Sequence, residues 1–303
     1  MLAAVKQRSS AFATIARRGI RSGYSVFKGE PLGQLGILIL ACFVLVGIFA
    51  PELAPREPYT TNRGADGSVL RTISPTLDYP AGTTQYGYDI LSQLILGTRV
   101  SLIVGVTAAF ISVFIGTNVG LVSGYYGGTV DAALMRITDI AYGLPFLPFA
   151  LVFLIVAGQS LTTIVIAISL IMWRSTARVI RSQVLSHKER AYVESAEAAG
   201  ANNLRIMYVH ILPNVLPLAF LYTAFSVAWA IIIEASISFL GFGDTEMVSW
   251  GRMIFQAQNA DVIHYAWWWV FPPGVAIILV VMSVFFISRS LEKLVHPSLR
   301  HKE

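Results

Sequence analysis

The sequence predicts an all-α, polytopic membrane protein with six transmembrane helices, and three observations predict it. Hydrophobic residues make up 55% of the 303 residues and charged residues only 13%, against about 25% charged in a soluble globular chain. The deficit is concentrated in long, nearly charge-free stretches, and a helix needs about 20 apolar residues to cross roughly 30 Å of hydrocarbon. The basic residues fall into three clusters: Lys6, Arg8, Arg17, Arg18, Arg21 and Lys28; Arg174, Arg178, Arg181, Lys188, Arg190 and Arg205; and Arg289, Lys293, Arg300 and Lys302. Six crossings put all three on one side of the bilayer, as the positive-inside rule requires of cytoplasmic segments.

The first span runs from Leu32 to Phe49 and stops at Pro51. Its basic lead-in is long and no small-x-small site follows, so it reads as a retained helix rather than a cleaved signal. The lone Cys42 excludes an intrachain disulfide or cysteine-based metal site and reads as a small packing residue. Residues 51–95 form a polar loop broken by prolines and glycines. Spans two, three and four run over Val100–Ser123, Ala133–Val156 and Leu161–Ile171, with Gly158 and Gln159 turning between the last two. A basic, mostly polar stretch, Arg174–Leu212, leads to the fifth span, Leu216–Leu240; a polar loop, 241–266, leads to the sixth, Trp268–Ile287. Acidic residues (Glu52, Glu57, Asp66, Asp78, Asp89, Asp244, Glu246, Asp261) populate the loops opposite the basic clusters. The expected organisation is a cytoplasmic arm (1–31), a membrane domain (32–290) with a cytoplasmic loop at 174–214, and a cytoplasmic tail (291–303), in the cell membrane.

Within the spans, Gly116, Gly120 and Gly124, with Gly128 beyond, recur every four residues and offer one face for close helix packing; a role in a substrate path is the less favoured alternative. Pro145 and Pro148 predict a kink in the third span. Trp267, Trp268 and Trp269 read as interfacial aromatics, and Pro272 and Pro273 as first-turn residues of the sixth helix. Arg136 and Asp139, with Asp131 nearby, predict an ion-pair set. Glu234 is costly at membrane depth, by about 2.5–3.5 kcal/mol on insertion scales, and must face protein or a water-filled cavity. It is either a gate on the pathway or a lock between helices. Asn118, Gln159 and Thr163 are further polar candidates for lining a path.

The cytoplasmic segment Tyr192–Pro213 predicts two short helices joined at a turn. Glu194 to Ala199 favour helix, Gly200 suits a left-handed C-cap, and Asn203 suits the N-cap of a second helix over Leu204–Leu212. Val193, Ala196 and Gly200 share a face, and Arg190 and Glu194 are spaced to pair. A small apolar face on such a loop, with no core to fill, suits docking in a groove on another protein.

Here the sequence resembles the permease subunits of binding-protein-dependent ABC importers. Their EAA loop reads Glu-Ala-Ala, three residues, Gly, then nine residues before Ile-x-Leu-Pro; this chain has Glu194-Ser195-Ala196, Gly200, and His210-Ile211-Leu212-Pro213. Ser195 replaces the middle alanine and His210 the isoleucine. YDILSQLILGTRVSLIVG (Tyr88–Gly105), GYYGGTVDAALMRITDI (Gly124–Ile140), EASISFLGFG (Glu234–Gly243) and WWWVFPPG (Trp267–Gly274) are similar to the dipeptide, oligopeptide and nickel subfamily, in its C-type member. The resemblance implies a MetI-like type I importer permease fold, with Glu194, Ser195, Ala196, Gly200, Ala201, Leu212 and Pro213 coupling to an ATPase. It also implies the partners: a second homologous permease, two ABC ATPase subunits that bind ATP and Mg, and an extracytoplasmic binding protein. This chain itself is expected to bind no cofactor. Peptides are the expected substrate, with nickel or oligosaccharides as alternatives.

Other classes fit less well. No P-loop, His-Glu-x-x-His or Gly-x-Ser-x-Gly motif is present, so no catalytic or metal-ligating residues are assigned. The basic clusters lack the aromatic platform of a nucleic-acid binder. A secondary transporter or channel also needs polar residues among helices, but the two halves show no repeat and no selectivity loop is evident.

Overall fold

A computed structural model describes residues 30–295; the arm, including Lys6, Arg8, Arg17, Arg18, Arg21 and Lys28, and the end of the tail, with Arg300 and Lys302, lie outside them. Helix α1, Pro31–Ile48, turns Gly33, Gly36 and Gly47 inward and its long aliphatic side chains outward. Cys42 is on that outward face, so it is exposed rather than packed.

After one helical turn, Ala50–Leu53, the chain forms an irregular loop pinned onto the bundle. The Arg56 N–H donates to Ser92 Oγ (3.0 Å), and Gln93 Nε2 donates to the Pro58 carbonyl (2.9 Å). Gly82 is required where it stands: its φ is +74°, and a Cβ there would lie 2.7 Å from the Trp268 ring. Helix α2, Ile90–Tyr126, starts ten residues before the expected Val100 because Asp89 caps it, accepting from the Ser92 N–H (2.9 Å) and hydroxyl (2.5 Å). Its 37 residues span about 55 Å, well beyond the hydrocarbon thickness. The first turns therefore carry the loop, and this side of the bundle is termed the loop end.

The expected third span is two helices, α3 (Gly128–Gly143) and α4 (Phe146–Ala157), bent by 89°. Leu144 is extended (ψ 119°), as a residue before proline is driven to be, and Pro145 then serves as the N-cap of α4. The predicted kink is thus a break. Helix α5, Leu161–Lys188, opens with a capping box from Ser160 and Thr163 and runs unbroken past Arg174. The basic stretch therefore starts as the continuation of this helix, since polarity moves a helix out of the membrane without ending it. Arg181 grips Asp131 with two 2.5 Å bonds, and Arg178 pairs with Asp139 at 3.0 Å. These are the ion pairs among the described residues. They join α5 to α3, leaving out Arg136 and the Arg190–Glu194 pair that spacing suggested. Because α3 begins beside Arg181 and α4 ends beside Leu161, the bent pair crosses the bundle once.

Helix α6, Ala191–Ala198, lies at the opposite, basic end. One turn, Asn203–Arg205, and a widened segment, Ile206–Ile211, feed directly into α7, Leu212–Ile237. The cap of this unit is Asn202, whose Oδ1 accepts from the Arg205 N–H (2.8 Å), and not Asn203. Loop 241–266 contains an unexpected helix, α8, Trp250–Asn259, and α9 covers Trp267–Val295. Pro272 and Pro273 therefore stand inside α9 rather than in its first turn. The three tryptophans also divide: Trp267 is 61% exposed, whereas Trp269 is fully buried with Trp250, Ile90 and Met253 in the loop-end core. Five helices are long and apolar enough to span a membrane, and the bent pair makes six.

The glycine stripe packs α2 on α5. A Cβ on Gly116 would lie 2.5 Å from the Trp173 carbonyl oxygen, one on Gly120 2.5 Å from that of Ala177, and one on Gly124 2.8 Å from Val184 Cβ. Gly128 has nothing within 4 Å and is outside the stripe.

Candidate functional site

At the basic end, α6 closes with a paired C-cap: the Gly200 N–H donates to the Glu197 carbonyl (2.9 Å) and the Ala201 N–H to the Ala196 carbonyl (3.0 Å). Gly200 supplies the left-handed residue, φ +79°, that this closure needs. Val193 is 1% exposed and packs with Ile206, Met207, Val184 and Tyr125; Ala196, Ala201 and Leu212 lean on the same cluster. The small apolar face expected to dock elsewhere is therefore consumed by the chain's own core. What faces outward is Glu194, Ser195, Glu197, Ala198 and Gly200, all exposed, with Leu204 62% exposed beyond them.

The platform beneath this surface is fixed from several sides. The Tyr125 hydroxyl donates to Asn203 Oδ1 (3.1 Å), and Tyr192 Oη lies 3.0 Å from His187 Nδ1. Burial pushes the Tyr192 phenol above its usual range, although Arg190 pulls it the other way, so it stays a neutral hydrogen-bonding group. Pro213 has no N–H to give, and its ring would meet the carbonyl one turn earlier in a regular helix. The widened turn relieves this, with the Leu212 N–H reaching back five residues to the Met207 carbonyl.

Glu234 lies near the loop end, 2% exposed. Its Oε1 accepts from the Ser238 hydroxyl (2.7 Å) and its Oε2 from the Ser101 hydroxyl (3.4 Å). The neighbouring cavity measures only about 10 Å³, room for one water at most. Around it the backbones are close: a Cβ on Gly105 would sit 2.4 Å from Ile231, and one on Gly251 2.4 Å from the Ala235 carbonyl oxygen. This burial between α2, α7 and α8 favours the lock over the gate. Glu234→Ala strands two serine hydroxyls in a buried site, at about 1–3 kcal/mol for unsatisfied groups. Assembly and thermal unfolding temperature are expected to fall, with uptake per assembled protein near normal. Normal assembly with lost uptake in Glu234→Gln would reverse that reading.

The break between α3 and α4 opens a larger cavity of about 610 Å³, lined by Tyr142, Phe146, Arg174, Ser175, Trp229 and Ser236 among others. Arg174 and Arg178 both stand over the Tyr142 ring, at 4.7 and 4.2 Å from its centre, and Arg174 also donates to the Ala141 carbonyl. None of the polar path candidates read from the sequence lines this cavity. Asn118 is held by the Tyr208 hydroxyl (2.8 Å), Gln159 is exposed in the turn before α5, and Thr163 is spent on the α5 cap. The cavity residues come from α3, α4, α5 and α7, so sequence order gave no signal beyond Pro145 that they meet.

Comparison with known proteins matches this architecture. The family described as "Binding-protein-dependent transport system inner membrane component" matches residues 116–301. The chain is 32% identical over 281 residues to the dipeptide transport system permease protein DppC of Alkalihalophilus pseudofirmus, covering 92% of this chain and 90% of that protein. It is 33% identical over 275 residues to the oligopeptide transport system permease protein OppC of Bacillus subtilis, covering 90% and 88%. It is 34% identical over 264 residues to OppC of Haemophilus influenzae, covering 86% and 83%. With five apolar helices long enough to span a membrane, a sixth candidate in the bent pair, and this likeness along nearly its whole length, the chain belongs to the binding-protein-dependent transport system inner membrane component family: it is a multi-pass ABC transporter permease, not an enzyme.

Proposed function

We propose that this chain forms half of the translocation pathway of a peptide importer and couples it to a cytoplasmic ATPase through α6. The observation that carries the coupling reading is the outward face of α6. Its inward side is anchored by Val193, yet Glu194, Ser195, Glu197 and Ala198 are exposed, and Glu194 and Glu197 enter no ion pair among the described residues. A rigidly mounted, unpartnered helix at the basic end transmits displacement into α5 and α7, the helices that line the cavity at the α3–α4 break. ATP and Mg belong to the partner ATPase subunits in this reading, and this chain contributes no nucleotide site. The ATPase pair, by closing, moves α6, and the bundle switches between two arrangements as a rigid body.

The basic end is cytoplasmic in this reading, with both termini, and the loop end faces the binding protein across the cell membrane. A second, homologous permease supplies the other half of the pathway. Peptide as cargo rests on the likeness to dipeptide and oligopeptide transport system permeases. The cavity's chemistry suits such a cargo: Arg174 for a carboxylate, Trp229 and Phe146 for side chains, and the hydroxyl oxygens of Ser175 and Ser236, which already donate to the Met172 and Ile232 carbonyls, as acceptors for peptide N–H groups. Purification of a tagged chain in mild detergent tests the proposal. Two ATPase polypeptides and a second six-helix permease are expected to accompany it. A chain that purifies without an ATPase in every detergent overturns the coupling assignment.

A further inference from the structure

Arg99 is the one basic residue on the lateral face of the long helix α2, and its position is unusual. A Cβ on Gly47, the penultimate residue of α1, would lie 3.6 Å from the Arg99 Cα. Arg99 is therefore level with the last turn of α1, just before the chain leaves the apolar layer for the loop at 51–89. It is exposed, and among the described residues it enters no ion pair or side-chain hydrogen bond. Beneath it a groove of about 440 Å³ runs between α1 and α2, lined by Val44, Ile48, Leu102, Ile103 and Val106, within the roughly 300–1,000 Å³ of ligand clefts.

The other polar residue of the groove, Thr107, donates its hydroxyl to the Ile103 carbonyl (2.5 Å) and presents nothing unmet. The walls are large branched aliphatics left open: Ile48 is 61% exposed, Val106 52% and Ile103 42%. Helix interfaces within membranes are instead enriched in small residues and polar cross-links. Gly47 already faces α2, where a Cβ on it would lie 3.4 Å from Leu102 Cδ1. The face has the chemistry of a lipid surface, with one cation at the height of the headgroups.

We propose that the α1–α2 groove is a binding site for an anionic phospholipid of the loop-end leaflet. Arg99 engages the phosphate and the groove holds one acyl chain. A long basic side chain reaching to the interface with its stem on apolar surface is the expected geometry, and an anionic headgroup supplies the charge that no carboxylate among the described residues provides. Such a lipid fixes α1, the most peripheral helix, to α2.

Native mass spectrometry of the chain, purified with whatever subunits stay with it, tests this on mixed micelles of phosphatidylglycerol and phosphatidylcholine in equal amounts. The wild type is expected to retain the anionic lipid about fivefold over the zwitterionic one, and Arg99→Lys to keep the preference. Arg99→Gln is expected to bring it to parity, and Val106→Trp, which fills the groove, to lose both lipids. Inorganic phosphate should not displace the lipid. An unchanged preference in Arg99→Gln overturns the site. So does loss of a protein subunit, rather than lipid, from that variant, which assigns the face to a partner.

Discussion

Glu194→Lys is expected to reduce uptake by roughly 5–150-fold, the loss of a coupling free energy of about 1–3 kcal/mol, while the protein still inserts and accumulates normally. The side chain stands on the exposed face of α6, and its contribution to the chain's own fold is confined to the first turn of a short helix. A carboxylate there interacts with the helix dipole for about 0.3–1 kcal/mol at most. A large functional loss therefore reports on something outside the chain. Val193→Ala is the contrasting variant: it frees α6 from Ile206 and Met207 and is expected to lower stability and uptake together. Uptake assays in vesicles, normalised to permease content, separate the two. Normal uptake in Glu194→Lys would remove α6 as the coupling element.

Gly120→Leu is expected to prevent accumulation of the folded permease. A Cβ at this position would sit 2.5 Å from the Ala177 carbonyl oxygen, 2.9 Å from the Arg181 nitrogen and 2.9 Å from Ile180 Cβ. None of these is the far end of a flexible side chain, so α2 and α5 must separate along their contact. Overpacking usually costs about 1–3 kcal/mol, and a rigid backbone wall puts this case at or above the upper figure. The separation also reaches Asp131, which Arg181 and Ser123 hold from the same pair of helices. Gly274→Ala, where nothing lies within 4 Å, is expected to be near neutral or mildly stabilising. Membrane protein yield and unfolding temperature in detergent measure both. Equal effects from the two variants would mean the α2–α5 contact does not hold the bundle together.

Hydropathy, charge and residue size are local quantities, and what depends on them was legible in the sequence: the class and the rough position of the apolar segments from the first two, and the glycine stripe on α2 and the C-cap at Gly200 from the missing side chain. The expected helix ends failed where a cap outweighs polarity, as at Asp89, and where helix continues into water, as past Arg174. Helix α8 was missed inside a polar loop, although Ser249 followed by Trp250, Met253 and Ala257 at helical spacing carries its signal.

Direction and distance belong to the tertiary structure alone. Three adjacent tryptophans share one composition, yet packing sent Trp269 into the core and left Trp267 outside. Val193 and Ala196 defined an apolar face of α6, but only the presence of Ile206 and Met207 against it turned that face inward and left Glu194 as the exposed side. Tyr142 and Trp229 stand 87 positions apart and line one cavity because the extended Leu144–Pro145 step breaks the third crossing. The sequence by itself determined that the chain is a multi-pass membrane protein and roughly where its apolar segments lie, because the cost of burying charge in hydrocarbon acts residue by residue. Which faces meet, and so where the cavity, the exposed side of α6 and the buried Glu234 lie, was decided by packing between segments distant in the chain.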